Sequence, residues 1–297
     1  MRALHSHGRY GYSPITRRPD FTWPDGKRLA VYIGFNIEHF EFGTGRGAKL
    51  APSSEPDVLN YSWRDYGNRV GVWRCIELFD SLKLPVGVLV NTSIYDYCPE
   101  VMAAFRVGQY PWGAEVIGHG HTNAEHQGEM SEAEERRLIH DCTARIAQEE
   151  GEPPAGWLSP WIAESHVTPD LLQEAGYKYV LNWAHDDQPT RFRTRGGSLW
   201  SIPYPQELND IPMIVARQMD GRDFADMIVD NFDEMLSQSA AQPLVMGIAL
   251  HPYLVGQPYR LRHLRRALTH IQTCANRVWF TTPGAICAQV AGLDRGA

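Results

Sequence analysis

The chain has 297 residues, of which 43% are hydrophobic, so it is long enough to bury the core of one α/β domain or barrel. Lysine and arginine number 28 against 35 aspartate and glutamate residues, which gives a formal net charge of −7. This acidic balance, without a cluster of basic and aromatic residues, argues against nucleic acid and favours a small-molecule substrate.

The chain contains no Gly/Ser-rich linker, which predicts a single catalytic domain over residues 1–297 with residues 1–27 as an N-terminal extension packed on it. We find no apolar run with the length of a signal-peptide core or a membrane span. We therefore expect a cytoplasmic protein with no membrane partner. The five cysteines lack C-x-x-C spacing and are expected to be reduced thiols.

Apolar runs and helical periodicity alternate along the chain. The predicted strands cover 29–35, 85–90, 115–117, 179–183, 199–203, 244–250 and 278–280. The predicted helices cover 70–82, 100–105, about 131–149, a segment that begins at 168–169, 223–237 and 259–273. Ser131 and Glu134 have capping-box spacing, and Thr168 would cap the helix that Pro169 begins. This alternation predicts parallel pairing and a distorted (β/α) barrel of about seven to eight strands.

Polar side chains follow several of the predicted strands. They are Asn36, Glu38 and His39, then Asn91, His119 and Asn123, then Asn182, Asp186 and Asp187, and finally His251. In barrels of this kind the chemistry gathers at the carboxyl ends of the strands, so these side chains are expected to converge on one pocket. The densest group, residues 118–126, places three histidines after two glycines and predicts an active-site loop.

The order of these motifs resembles the polysaccharide deacetylase superfamily, and within it the branch of allantoinases and cyclic imide hydrolases. The motifs are Asn36-x-Glu38-His39, Gly118-His119-Gly120-x-Thr122-Asn123, Trp157-Leu158-Ser159-Pro160-Trp161, Asn182-Trp183-x-x-Asp186-Asp187-Gln188-Pro189 and Leu250-His251-Pro252. The segments 12–15, 23–26 and 207–210 resemble the same branch, so the likeness spans nearly the whole chain.

The resemblance implies hydrolysis of a C–N bond, in which Glu38 activates water and His251 protonates the leaving group. It implies a zinc site at His39, His119 and Asn123, with Glu38, His121, Glu125 and His126 as replacements. Glu38-His39 stands where the superfamily has paired aspartates, and Asn123 stands where it has a second histidine. Asparagine is a poor zinc ligand, so a metal-independent site is the alternative.

Other residues are expected to hold the substrate. Trp161 and Trp183 would wall a small planar ring, or pack in the core. Asn36 would bind the substrate. Asp186 and Asp187, as a pair, would orient His251 or hold a substrate N–H, unless they form a solvated turn. The oxyanion would be stabilised by zinc or by backbone N–H groups near 118–120.

The function that the resemblance implies for these residues is the opening of a small cyclic amide, imide or hydantoin ring. A cytosolic deacetylase of a sugar or small metabolite is the first alternative. A non-catalytic metabolite-binding barrel is the second. The resemblance also implies a homo-oligomer.

Overall fold

The computed structural model describes residues 4–43, 46–106 and 108–294. The strands in this part of the chain are β1 (Leu29–Ile37), β2 (Val86–Val90), β3 (Ala114–Gly118), β4 (Gly156–Trp157), β5 (Tyr179–Val180), β6 (Thr190–Thr194), β7 (Gly197–Ser201), β8 (Leu244–Leu250) and β9 (Val278–Phe280). The helices are α1 (Val58–Tyr66), α2 (Val72–Ser81), α3 (Ile94–Tyr97), α4 (Pro99–Ala103), α5 (Glu132–Glu150), α6 (Thr168–Glu174), α7 (Gly221–Gln238), α8 (Pro252–Val255), α9 (Pro258–Gln272) and α10 (Pro283–Asp294).

The strands form one mostly parallel sheet in the order β6-β7-β5-β4-β3-β2-β1-β8, and β9 pairs with β1. The hairpin of β6 and β7 is antiparallel. All nine residues of β1 are buried, as expected for a strand whose two faces are both covered. The predicted α/β fold with a barrel-like parallel sheet is confirmed.

The sheet does not close into a complete barrel. Irregular backbone covers the outer edge of β8, where the Val245 amide donates to the Asp187 carbonyl and the Ala249 amide donates to the Leu208 carbonyl. Pro203 follows β7 closely and has no amide hydrogen for a ladder bond, which is consistent with an irregular path after that strand. A seam of irregular backbone therefore stands where a closing strand would lie.

Several predicted elements differ from the structure in their ends. The strand predicted over 179–183 is limited to Tyr179–Val180, because the side chain of Asn182 instead binds the 159–164 segment. Ser131 forms the predicted capping box with Glu134. Thr168 is not the cap of α6, since Val167 is the N-cap residue and the Thr168 hydroxyl donates to Glu135.

The N-terminal segment is tied to the rest of the molecule. Trp23 is buried, and its indole N–H donates to the Leu244 carbonyl. Arg18 forms a two-bond ion pair with Asp186, with N···O distances of 2.7 and 2.6 Å. All five cysteines are free thiols. Among the described helices we find none that is long and apolar enough to cross a membrane.

Candidate active site

A cavity of about 200 Å³ lies at the carboxyl ends of β1, β3 and β8. Its lining is Asn36, Glu38, Ala48, His119, Asn123, Leu158, Trp161, Ile162, Tyr204, Gln206, Asn209, Ile211, Pro212, His251 and Tyr253. Parallel strands bring their carboxyl ends to one edge of a sheet, so residues distant in sequence meet here. The predicted convergence of Asn36, Glu38, His119, Asn123 and His251 on one pocket is therefore present.

Glu38 is the buried carboxylate at the centre of the cavity. Its Oε1 accepts from Asn123 Nδ2 at 2.9 Å and lies 3.4 Å from His251 Nε2. Its Oε2 accepts from the Tyr253 hydroxyl at 3.3 Å. Burial alone would raise the pKa of Glu38, but the charge and the hydrogen bond of His251 outweigh burial and lower it to about 2. Glu38 is therefore ionised at neutral pH.

His251 is held by a second buried carboxylate, Asp210. The His251 backbone N–H donates to Asp210 Oδ2 at 2.8 Å, and its Nδ1 lies 2.6 Å from Asp210 Oδ1. Burial lowers the pKa of His251, but the charges of Asp210 and Glu38 outweigh burial and raise it to about 10. The ring is therefore an imidazolium that presents its Nε2–H to Glu38.

His119 presents a nitrogen lone pair to the same cavity. Its Nδ1 lies 2.7 Å from the Leu158 carbonyl, a contact that requires the hydrogen on Nδ1. In the neutral ring Nε2 is then an acceptor. This atom is buried, has no hydrogen-bond partner among the described residues, and lies 3.5 Å from Glu38 Oε1. The pair of acceptors can hold a water molecule or a substrate N–H.

Asn36 and Trp161 also lie at the cavity, as predicted. Asn36 Nδ2 donates to the Tyr204 hydroxyl at 3.0 Å and to the Leu250 carbonyl at 3.2 Å. Trp161 Nε1 donates to the Asn123 carbonyl at 2.7 Å. Trp161 and Ile162 have φ angles of 61° and 56°, which is a strained conformation for residues other than glycine. The structure therefore holds Trp161 at the cavity at a conformational cost.

No family model matches the chain. A Schizosaccharomyces pombe protein assigned to the polysaccharide deacetylases is 26% identical over 91% of this chain and 91% of its own length. The crystal structure of a probable polysaccharide deacetylase from Pseudomonas aeruginosa PAO1 is 26% identical, with a TM-score of 0.80 over 91% of this chain and 93% of that one. The relatives of this chain in sequence and structure are polysaccharide deacetylases. The Puue allantoinase is also a structural neighbour, 25% identical with a TM-score of 0.82 over 97% of both chains.

The predicted ligands of the metal ion that the resemblance implies do not lie together in the structure. The His39 ring stacks on Tyr97 with centroids 4.4 Å apart, and its Nδ1 contacts the Ser93 hydroxyl, outside the cavity. Asn123 presents its NH₂ group to Glu38 and not an oxygen. Among the described residues we find no group of three histidine, cysteine, aspartate or glutamate side chains suited to a metal. The residues present do not fit a metal centre, and the predicted set of His39, His119 and Asn123 does not form.

Three other predicted site residues lie elsewhere. Trp183 donates its indole N–H to Glu164 and packs edge-on against Phe192. Asp186 is paired with Arg18. Asp187 lines surface pockets, and burial raises its pKa. The prediction that Asp187 orients His251 is wrong, because Asp210 occupies that position.

The residues that sequence reasoning missed come mostly from the segment between β7 and α7. Tyr204 and Gln206 line the cavity, and neither was a predicted site residue. Asp210 lay in a segment that resembles the allantoinase branch, but no role followed from the motif. The available signal was the Pro-Tyr-Pro sequence at 203–205, which places one aromatic residue between two residues of fixed φ.

Proposed function

We propose that this protein opens a small cyclic amide, imide or hydantoin ring by hydrolysis. The polysaccharide deacetylases and the allantoinase among its relatives support the broader class, a hydrolase of carbon–nitrogen bonds other than peptide bonds. The observation that carries the proposal is the pairing of Glu38 and His251 in one buried cavity. Amide hydrolysis needs one group that removes a proton from water and one that supplies a proton to nitrogen.

Glu38 and His251 have the charge states that these two steps need. Glu38 takes a proton from a water molecule held at its carboxylate and at His119 Nε2. The water oxygen bonds to the substrate carbonyl carbon, and the carbonyl electron pair moves to its oxygen. When this intermediate collapses, the C–N bond breaks and His251 Nε2 gives its proton to the departing nitrogen. Asp210 keeps the ring in position for that transfer.

The size and walls of the cavity favour a small ring over a polymer. Its volume of about 200 Å³ is below the roughly 300–1,000 Å³ of sites for drug-sized ligands. Asn123 Oδ1 is a buried acceptor without a hydrogen-bond partner among the described residues. It suits the N–H of a ring amide.

Deacetylation of a small N-acetyl compound is the second candidate. The observation in its favour is that the relatives identified by sequence are deacetylases. The same carboxylate and histidine would act on the acetyl carbonyl, and the two candidates differ only in the substrate.

The test is turnover of glutarimide, hydantoin, allantoin and N-acetylglucosamine by the wild-type chain and by Glu38→Gln. We expect ring opening of at least one cyclic compound, and a kcat for Glu38→Gln lower by about 10²–10⁴-fold, the contribution of a positioned base. Wild-type activity on the N-acetyl compound alone would select the deacetylase. Turnover of none of the compounds would favour a binding protein.

The same assay with and without a chelator, together with elemental analysis, tests the metal. Because the predicted ligands do not meet, we expect turnover to persist in chelator. Loss of turnover that added zinc restores would show instead that a metal assembles the site.

A further inference from the structure

The segment between β7 and Asn209 brings two polar side chains to the cavity that the steps above do not use. From their positions we propose that the Tyr204 hydroxyl and the Gln206 side-chain amide form the donor pair that stabilises the oxyanion. This inference rests on the proposed function, since it concerns the intermediate of the same hydrolysis.

Tyr204 supplies a neutral donor with no strong acceptor of its own. Its side chain is buried, and its oxygen accepts from Asn36 Nδ2 at 3.0 Å. The hydrogen bond that the Tyr204 hydroxyl donates, to Asn36 Oδ1, is 3.4 Å long, whereas O–H···O bonds are usually 2.5–3.0 Å long. Burial raises the pKa of Tyr204, so the hydroxyl keeps its hydrogen. That hydrogen can move to a better acceptor in the cavity.

Gln206 supplies the second donor. Its Nε2 is buried and lacks a hydrogen-bond partner among the described residues, although Gln206 lines the cavity. A buried N–H group without a partner is rare in folded proteins, and such groups point to a ligand or a catalytic role. Gln206 is two residues from Tyr204, and both residues line the cavity.

The segment that carries this pair is held in place. Pro203 and Pro205 fix their own φ angles on both sides of Tyr204. The Tyr32 hydroxyl donates to the Pro203 carbonyl. Gly34 leaves room for the phenol ring, since a Cβ there would lie 3.0 Å from Tyr204 Cε2. Donors that are fixed before reaction stabilise a developing charge without a cost of reorganisation.

Several other donors at the cavity are already in use. Asn123 Nδ2 and the Tyr253 hydroxyl both donate to Glu38. The backbone N–H of His119, within the stretch expected to form the oxyanion hole, donates to the Val90 carbonyl at 3.1 Å. We therefore assign the oxyanion hole to the segment after β7.

In the reaction, the carbonyl electron pair moves to oxygen as the water oxygen bonds to carbon, and Tyr204 and Gln206 donate to that oxygen. The electron pair returns when the C–N bond breaks. Neither residue loses a proton, so the balance of the step is unchanged.

The experiment compares Tyr204→Phe, Gln206→Met and Tyr110→Phe on the ring compound that the wild type opens fastest. Tyr110 is the matched control, a buried tyrosine whose hydroxyl donates to the Leu84 carbonyl away from the cavity. We expect kcat to fall about 10²–10³-fold for Tyr204→Phe, the usual cost of one oxyanion donor, and to fall also for Gln206→Met, with KM close to wild type. Tyr110→Phe is expected to keep the wild-type kcat.

Hydantoin binding by calorimetry, in the inactive Glu38→Gln background, separates a transition-state role from a structural one. We expect Tyr204→Phe to leave this affinity unchanged. Wild-type kcat in both Tyr204→Phe and Gln206→Met would overturn the inference, and so would an affinity loss as large as the loss of kcat. Gln206 is partly exposed, so its variant tests the pair even if Tyr204→Phe does not fold. A wild type that opens no ring would overturn the proposed function itself, and the oxyanion pair with it.

Discussion

At the scale of single residues, the site contains three contacting side chains of alternating charge, negative, positive and negative. Asp210, His251 and Glu38 contact one another in that order, and all three are buried. Each carboxylate stabilises the imidazolium, and the imidazolium stabilises each carboxylate in return. The charge state of His251 therefore depends on Asp210 as much as on Glu38.

Asp210→Asn is expected to lower kcat by about 10²–10⁴-fold, because the general acid loses the group that orients and charges it. The pH above which kcat/KM declines should also move down, toward the ordinary histidine pKa of 6.5. Asp187→Asn is the matched control and should keep wild-type kcat, since Asp187 lines surface pockets. The reverse ranking of these two variants would contradict the assignment of Asp210.

The pH dependence of kcat/KM should reflect the same ion pair. The proposed mechanism needs ionised Glu38, with a pKa of about 2, and protonated His251, with a pKa of about 10. We therefore expect a plateau from about pH 3 to about pH 9 and a decline toward pH 10. A transition near pH 6.5 would show that His251 titrates at its ordinary value.

The pH dependence of the free energy of unfolding follows from the same two pKa shifts. The pKa of His251 is raised on folding, so its contribution is complete below about pH 6.5 and is lost as the pH rises through about 10. The pKa of Glu38 is lowered, so its contribution is present above about 4.5 and is lost as the pH falls through about 2. Chemical denaturation of wild type and His251→Gln over this range should show their difference shrinking at high pH.

At the scale of elements, the loop that carries Trp161 is strained and therefore must be held by its neighbours. Asn182 accepts from the Ser159 amide at 2.8 Å, and its Nδ2 donates to Glu164 Oε2 at 2.7 Å. Trp183 donates to the other oxygen of Glu164. These bonds fix both ends of the segment that contains Trp161 and Ile162.

Asn182→Ala should release this segment and weaken substrate binding more than catalysis. We expect KM to rise by roughly three- to tenfold, which corresponds to the net free energy of about one hydrogen bond, with a smaller change in kcat. Asn231→Ala, on the outer helix α7, is the control. Equal KM values for the two variants would show that the strained loop does not need this support.

The elements that could be predicted from sequence are those with a strong local pattern. The apolar runs of β8 and β9 end where predicted, and the charged helix α5 begins at its capping box. Short strands such as β4 have only two residues and lack a periodic signal. Their positions depend on pairing with neighbours and not on their own composition.

The candidate site could be predicted in part for the same reason. Glu38 and His251 follow long strands, so their convergence follows from the sheet. His39 is adjacent to Glu38, but its ring stacks on Tyr97 outside the cavity, a contact that no sequence pattern encodes. Tyr204 lies on irregular backbone, and Asp210 directly precedes the short helical segment Ile211–Ala216, so no periodic pattern encodes either position.

At the scale of the whole molecule, the N-terminal segment is fastened to the body by partly buried ion pairs. The Arg18 and Asp186 side chains are 18% and 12% exposed. Arg9 pairs with Asp170 at 2.7 Å in the same manner. Removing one partner of such a pair lowers the free energy of unfolding more than it does for an exposed pair, because the other charge stays partly buried.

Arg18→Ala should lower the free energy of unfolding by about 2 kcal/mol, the loss of hydrogen bonds to a charged group. Arg266→Ala removes a pair whose side chains are 47% and 52% exposed, and should cost less than about 1 kcal/mol. Urea denaturation of both variants measures the difference. Equal losses would show that the N-terminal segment is not held by this pair.

The seam beside β8 carries the proposed oxyanion donors on backbone that lies outside the ladder of strands. Residues 202–210 provide Tyr204, Gln206, Asn209 and Asp210, and they attach to β8 mainly through the Leu208 and Asn209 backbone. A change of side chain at 204 or 206 leaves that attachment intact. Exchanging residues 202–210 between related hydrolases should therefore transfer a preference for one carbonyl compound over another. The rest of the fold should stay unchanged.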